Sequence, residues 1–104
     1  MRWVALLLLL GCSARRTEPI AGPLVLEGEA ARGEQVFMRA CHSCHPFGEG
    51  GLGLAINNKP LPGFLLRAQV RVGFGTMPAF DEGRISREEL DALVVYLKRL
   101  RRHR

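Results

Sequence analysis

Two cysteines and two histidines stand in one short run of this 104-residue chain, Cys41-His42-Ser43-Cys44-His45. The pattern C-x-x-C-H is the attachment signature of c-type haem. Its spacing has a physical reason. Two cysteines at this spacing at the end of a helix can each reach one vinyl group of a haem. The histidine after the second cysteine then lies under the haem iron. A haem is a large apolar group, and a chain this short has only a small side-chain core of its own. We therefore expect the chain to fold around the haem.

Two other interpretations of these residues are weaker. A bare C-x-x-C pair can form a redox disulfide, but the βαβ setting of that motif is missing from the sequence. A zinc site needs a second pair of ligands, which no further Cys or Asp/His cluster supplies. His42 fits a passive loop position, and His103 lies in a basic tail, where we expect it to be solvated.

The length allows one domain, and in a domain this small a core made only of side chains would give marginal stability. Of the fifteen basic residues, five crowd into the last seven positions, and the remainder of the chain is close to neutral. Aromatic residues do not accompany this basic tail, so nucleic-acid binding is not expected.

Residues 1–11 have the pattern of a secretory signal, with Arg2 before the apolar run Val4–Leu10. That run is far shorter than the about 20 apolar residues that span a membrane. We therefore expect export, to the periplasm or the outer face of a bacterial membrane.

The ending Leu9-Leu10-Gly11-Cys12 resembles the lipobox of bacterial lipoproteins, in which the cysteine is lipidated and begins the mature chain. Residues 12–28 are then a lipidated N-terminus and flexible tether that holds the domain at a membrane. Part of it, Leu24-Val25-Leu26, could instead lie against the domain. The alternative for the leader is a plain signal peptide cut after Ala14.

Three segments have helical periodicity and none indicates a strand, so the predicted fold class is all-α. The first is Glu29–Cys41, and a shorter helix is predicted for Pro62–Val72. A third begins at Ser86-Arg87-Glu88-Glu89, an S-x-x-E capping box, and continues to Leu100 with a clear 3.6-residue period.

Haem iron that only transfers electrons keeps a second axial ligand, and in cytochromes c a thioether usually faces the histidine. Met38 lies three residues before Cys41 on the same predicted helix, where it is badly placed to cross the haem plane. Met77 lies between Gly73 and Phe80, in a loop bracketed by glycines and locked by a proline. Met77 is therefore the predicted ligand, and the alternative is a core methionine.

From about Glu29 to Leu100 the chain resembles the bacterial class I cytochromes c. The resemblance rests on Gly33-x-x-x-Phe37, on Leu93-x-x-Tyr96, and on Arg71-x-Gly73 followed by Met77-Pro78-Ala79-Phe80. It implies a domain over 29–104, with three to four helices around one haem c bound covalently to Cys41 and Cys44 and axially to His45 and Met77. The positions that it assigns to the haem pocket or to helix packing are Gly33, Phe37, Leu54, Pro78, Phe80, Leu93 and Tyr96.

The chain departs from the family at two places. Members often have G-P-x-L after the haem motif, where the proline carbonyl accepts a hydrogen bond from the ligand histidine. Here the residues are Gly51-Leu52-Gly53-Leu54, and we expect the Leu52 carbonyl to take that role. The family's tryptophan near a haem propionate has no counterpart, which leaves Lys59, Arg67 and Arg71 as candidates.

The resemblance implies an electron carrier that cycles Fe(III)/Fe(II) between a redox protein donor and acceptor, as a monomeric domain that catalyses no bond change. A second hypothesis is an electron-entry subunit of a membrane oxidase or periplasmic dehydrogenase. A third is a haem sensor whose Met77 bond opens to admit a gas ligand.

Overall fold

The computed structural model of the protein describes residues 24–57 and 59–103. Over this part of the chain lie three α-helices and no β-strand: α1 is Gly28–Ala40, α2 is Gly63–Val72 and α3 is Arg87–Arg102, with a 3-10 turn at Pro46–Gly48. The predicted all-α class is confirmed. No helix among the described residues is long and apolar enough to cross a membrane. The predicted signal and Cys12 lie outside the described residues.

The helix ends differ from the predicted ones by one or two residues. The first helix ends at Ala40 because the amides of Cys41 and His42 both donate to the Phe37 carbonyl, at 2.8 and 2.9 Å, which turns the chain out of the helix. The last helix extends past Leu100 to Arg102, since an exposed final turn needs no apolar residue. Periodicity detects the buried face of a helix and says less about its ends.

The start of α3 has the predicted capping box. The Ser86 hydroxyl accepts from the Glu89 amide at 3.1 Å, and the Glu89 carboxylate accepts from the Ser86 amide at 3.1 Å. The Ser86 amide, with help from the Arg39 guanidinium, lowers the pKa of Glu89 below its ordinary value. Arg39 also pairs with Glu89 at 2.7 Å, which joins the end of α1 to the start of α3.

The core lies mainly between α1 and α3, which are in close contact around Gly33. A Cβ atom on Gly33 would overlap the Ala92 carbonyl oxygen and lie 2.7 Å from Cβ of Tyr96, so the two backbones are in close contact there. The rings of Phe37 and Tyr96 lie 5.3 Å apart beside this crossing, and Leu93 is buried next to them. Burial raises the pKa of the Tyr96 phenol to about 12, so it stays neutral.

Helix α2 packs on α3 more loosely, through buried Val70 and an Arg67–Asp91 ion pair of 2.9 Å. Before α1, Leu24 and Leu26 pack against the core while Val25 is exposed. The last residues of the predicted tether therefore lie against the domain.

Candidate functional site

The two cysteines and the histidine of the motif lie in one turn that follows α1. The amides of Cys44 and His45 both donate to the Cys41 carbonyl, at 3.2 and 2.9 Å. Neither Cys41 nor Cys44 is in a disulfide, and both are partly buried. The turn thus holds two thiols and one imidazole within a few residues of the end of a rigid helix.

The Cys41 thiol is set in an apolar environment. Burial raises its pKa to about 11, although the nearby Arg39 charge acts in the opposite direction. The thiolate is the form that binds metals and exchanges disulfides, so a thiol that stays protonated at neutral pH is poorly suited to either role. Across the described residues, no group of three or more His, Cys, Asp or Glu side chains is placed to hold a metal ion.

The His45 ring is oriented by the backbone. Its Nδ1 lies 2.8 Å from the Leu54 carbonyl oxygen, and because a carbonyl only accepts, Nδ1 carries the proton. The other ring nitrogen, Nε2, then has the lone pair that a metal needs. The expectation for Leu52 was wrong: the accepting carbonyl belongs to Leu54, two residues later, and the Leu52 side chain is exposed.

Gly53 is a site residue that the sequence argument missed. A Cβ atom at this position would overlap Cε1 of the His45 ring and lie 2.7 Å from its Nδ1. The Gly53 amide donates to the Cys44 carbonyl at 2.9 Å, which holds the loop against the motif. The signal was present as the glycine-rich run 50–53, but only the fold shows which of these glycines faces the imidazole.

His42 lies in the loop after α1, as the sequence predicted, and its ring contacts other loop residues. Its Nδ1 accepts from the Phe47 amide at 3.1 Å, and the two rings lie 4.5 Å apart, edge to face. Phe47 has a left-handed backbone (φ 52°), a conformation that costs a non-glycine residue about 1 kcal/mol or more. His42 thus stabilises the 3-10 turn that follows the motif.

Met77 lies in a tight loop after α2. Gly73 leaves the helix with φ 72°, and the amides and carbonyls of Phe74 and Met77 pair in both directions, at 3.1 and 2.9 Å. Met77 packs partly buried against the core, and its Sδ accepts from Nε2 of Gln69 at 3.4 Å. Met38, in contrast, is 44% exposed on α1.

The segment after Met77 is fixed to α2. The Phe80 amide donates to the Val70 carbonyl at 2.9 Å, and Arg71 donates to the carbonyls of Phe80 and Ile85, at 3.2 and 2.6 Å. Phe80 is buried with the Arg84 guanidinium 4.6 Å from its ring centroid, whereas Pro78 is exposed.

The hydrogen bonds of Arg71 bear on the three cations proposed for the haem propionates. Arg71 is committed to two carbonyls and Arg67 to Asp91, so both have structural roles. Lys59 takes part in no ion pair within the described ranges. Of the three, Lys59 is therefore the cation whose charge is not paired with another group among the described residues.

Exposed apolar side chains are concentrated between the motif and the Met77 loop. A small domain rarely leaves so many in water unless something covers them. Together with two thiols, an imidazole with an available Nε2 and a partly buried thioether, they fit a haem. The large exposed apolar residues in this region are Phe47, Leu52, Leu54, Leu61, Phe64, Leu65, Val72 and Phe74.

A second sign of an incomplete site is Asn57. Its side chain is fully buried, and neither its amide oxygen nor its nitrogen has a hydrogen-bond partner among the described residues. Buried polar groups in folded proteins are nearly always paired. The amide therefore fits a position where a bound group or an ordered water completes the polar contacts, which no local sequence signal could reveal.

The family described as "Cytochrome C oxidase, cbb3-type, subunit III" matches residues 28–97. The chain is also similar to the 4-cresol dehydrogenase [hydroxylating] cytochrome c subunit of Pseudomonas putida, with 30% identity over 80 residues, which are 77% of this chain and 70% of that protein. No solved structure matches significantly.

Proposed function

The chain belongs to the cytochrome c family described as subunit III of cbb3-type cytochrome c oxidase, and from this premise we propose that it carries one haem c, attached through Cys41 and Cys44, and transfers single electrons with His45 and Met77 as axial ligands. Members of this family bind haem c and are electron carriers. The proposal for this chain goes further, to one haem and to four named residues.

The hydrogen bond from Nδ1 of His45 to the Leu54 carbonyl carries this proposal. It sets the tautomer, so that Nε2 is the nitrogen available to iron. A bound haem supplies a one-electron iron couple.

The other residues of the site hold the second ligand and exclude water. Gln69 and the paired Phe74–Met77 backbone restrain the methionine sulfur. A thioether ligand and an apolar pocket both favour the less charged ferrous state, which raises the reduction potential. If His45 and Met77 both stay bound in the two oxidation states, each electron transfer would need little reorganisation.

We further propose that the protein is exported and held at a membrane by lipid on Cys12. The support is the sequence alone: a basic residue, a short apolar run and a small residue before the cysteine. Mass spectrometry of the membrane-extracted protein tests this, because diacylglyceryl thioether and amide-linked acyl groups on Cys12 have defined masses. A chain that begins at Ser13 or later would contradict it.

A second candidate function, as the cytochrome subunit of a larger redox enzyme, is favoured by both comparisons. The matching family is named for an oxidase subunit, and the relative is the cytochrome subunit of a dehydrogenase. Since the relative is similar over most of both chains, we favour a dehydrogenase as the electron donor of this protein. The carrier chemistry is the same in either setting.

The deciding experiment is the ferric spectrum of the purified protein, recorded into the near infrared. We expect a low-spin haem with a weak methionine–iron charge-transfer band that disappears in Met77→Ala. The control is Met38→Ala, which removes a half-exposed methionine from α1 and should leave the band unchanged.

Two results would contradict the proposal. A high-spin ferric spectrum without the band would mean an open sixth position, and would favour the gas-sensing alternative. Absence of covalent haem after coexpression with c-type haem maturation proteins would exclude the attachment at Cys41 and Cys44.

A further inference from the structure

The last turns of α3 lie beside the haem motif. A Cβ atom on Gly48, in the turn after His45, would lie 2.8 Å from Cδ2 of Leu100. The Gly48 amide donates to the His45 carbonyl at 2.9 Å, so Leu100 contacts the turn that follows directly from the ligand histidine. The C-terminal part of α3 is therefore next to the proposed haem site.

The loop between the motif and α2 is fixed to the same part of α3. One guanidinium nitrogen of Arg101 donates to the carbonyls of Lys59 and Leu61, at 3.0 and 2.9 Å. A Cβ atom on Gly63, where α2 begins, would lie 3.2 Å from Nζ of Lys98. Three cations from distant segments thus meet on one surface. We call Lys59, Lys98 and Arg101 the basic face.

Acidic residues are nearly missing from the segments that form this part of the molecule. Glu49 is the only acid between Glu34 and Asp81, and no acid follows Asp91. Asp91 pairs with Arg67 at 2.9 Å, and neither ion pair of the described residues includes a cation of the basic face. The surface around the basic face is therefore positive.

Stabilisation of a helix end explains only part of this charge. Cations near the C-terminus of a helix interact favourably with its dipole, which accounts for Lys98 and Arg101. That effect falls off within the last turn and does not account for Lys59, which lies in a loop and reaches the face only through the hydrogen bond from Arg101.

The basic face also adjoins exposed apolar side chains. Leu61 and Phe64 are 39% and 71% exposed, one in the loop that Arg101 binds and the other in the first turn of α2. Apolar area with charged residues at its rim is the usual anatomy of a protein–protein interface. A haem at the motif would lie next to this surface, so a redox protein that exchanges electrons with it must approach on this side.

We propose that the basic face docks an acidic surface of a redox protein partner. The proposal rests on the proposed function, since it requires a haem at the motif. Opposite charge attracts the partner before contact and raises the association rate by about 10- to 10³-fold at low salt. It also favours encounters in which the partner meets the side that holds the haem.

The test is electron transfer to the ferric, haem-loaded protein from an acidic protein of known structure. The probe is reduced flavodoxin, which has a strongly acidic surface. Its anionic flavin hydroquinone gives one electron to Fe(III), which becomes Fe(II), and is left as the neutral semiquinone. The reference donor is the free lumiflavin semiquinone, a small neutral molecule that gives one electron and releases one proton. The ratio of the two rates measures docking, because a change in haem potential or access affects both.

The decisive comparison is between two double variants of equal charge loss. Lys59→Gln with Lys98→Gln should lower this ratio by roughly tenfold at low ionic strength, the lower end of the range for electrostatic steering. The control is Arg32→Gln with Arg99→Gln, which removes two exposed cations from grooves lined by α1 and α3 without α2. It should change the ratio by less than about twofold. At about 1 M salt the Debye length falls to about 3 Å, and the difference should disappear.

Two outcomes would overturn the inference. Equal losses in the two double variants would mean that net charge, and no particular face, attracts the acidic protein. An unchanged ratio in Lys59→Gln with Lys98→Gln would mean that the basic face does not dock it. Weaker binding of that variant to phosphatidylglycerol vesicles would then assign the face to an anionic membrane. The lumiflavin rate and the ferric spectrum depend on the haem and not on the basic face, so they test the proposed function separately.

Discussion

At the scale of single residues, the site depends on backbone groups as much as on side chains. The proton of His45 is placed by the Leu54 carbonyl, and the ring has room only because position 53 is glycine. The pair Gly53–Leu54 thus takes over a role that the family commonly gives to a proline. A hydrogen bond to any main-chain carbonyl at the correct distance has the same effect on the imidazole.

Gln69 gives a prediction at this scale. Its Nε2 donates to Sδ of Met77 at 3.4 Å, and such a bond withdraws electron density from the sulfur. A weaker sulfur donor favours ferrous iron, so Gln69→Leu should lower the reduction potential. A hydrogen bond of about 0.5–1.5 kcal/mol corresponds to roughly 20–60 mV for one electron.

Potentiometric titration of the two proteins measures this shift. Gln35→Leu is the matched control, because Gln35 is exposed on α1, and its potential should equal that of the wild type. An unchanged or higher potential in Gln69→Leu would contradict the role of the glutamine, while the near-infrared band reports separately whether Met77 stays bound.

At the scale of helices, the crossing of α1 and α3 decides whether the domain forms. Gly33 allows the approach, and the capping box at Ser86 sets where α3 starts. The Arg39–Glu89 ion pair adds little by itself, because both side chains are partly exposed. The motif turn follows directly from the end of α1, so any shift in the crossing moves the cysteines.

Gly33→Ala should therefore be severely destabilising. The added methyl overlaps a backbone carbonyl, which no rotamer change relieves, and we expect a loss of about 3 kcal/mol or more in the free energy of unfolding. Gly63→Ala is the control. Its methyl would lie 3.2 Å from Nζ of Lys98, a mobile group, so the free energy should stay within about 1 kcal/mol of the wild type.

Urea unfolding of the haem-loaded proteins, followed by circular dichroism, measures both values. If Gly33→Ala does not fold, the yield of covalent haem replaces the unfolding curve and should fall sharply against Gly63→Ala. Similar stability of the two variants would show that the helices can separate without loss, contrary to the close contact described.

At the scale of the whole molecule, the side chains form only part of a core, and the proposed haem would complete it. The α1–α3 contact is well packed, whereas the region between the motif and the Met77 loop leaves apolar residues in water. This exposure fits a small domain whose core is completed by a bound group.

A partner enzyme is testable at this scale. If the protein is a cytochrome subunit, extraction in mild detergent from cells at native expression should yield it in a larger complex, at a fixed ratio to a dehydrogenase or oxidase chain. Size-exclusion chromatography with haem detection measures this. Elution of all the haem at the size of this chain alone would favour the free carrier.

Much of the fold was open to prediction from local sequence. Helical periodicity located α1, α2 and α3, because each must bury an apolar face, and the S-x-x-E pattern predicted the start of α3 because its contacts span three residues. The ligand assignments of His45 and Met77 stay predictions, although the Met77 loop has the glycine-dependent geometry that its sequence suggested.

Other features came from the tertiary structure alone. Three contacts depend on where a loop returns to the helices. They are the hydrogen bond of His45 to Leu54 in place of Leu52, the contact of Gly53 with the imidazole, and the hydrogen bonds of Arg71 to two carbonyls. The meeting of Lys59 with the end of α3 depends on the same kind of long-range contact. Sequence by itself determined the elements and the chemistry of the motif, since both arise from neighbours along the chain. The tertiary structure decided which groups face each other, because that is settled only when distant segments pack.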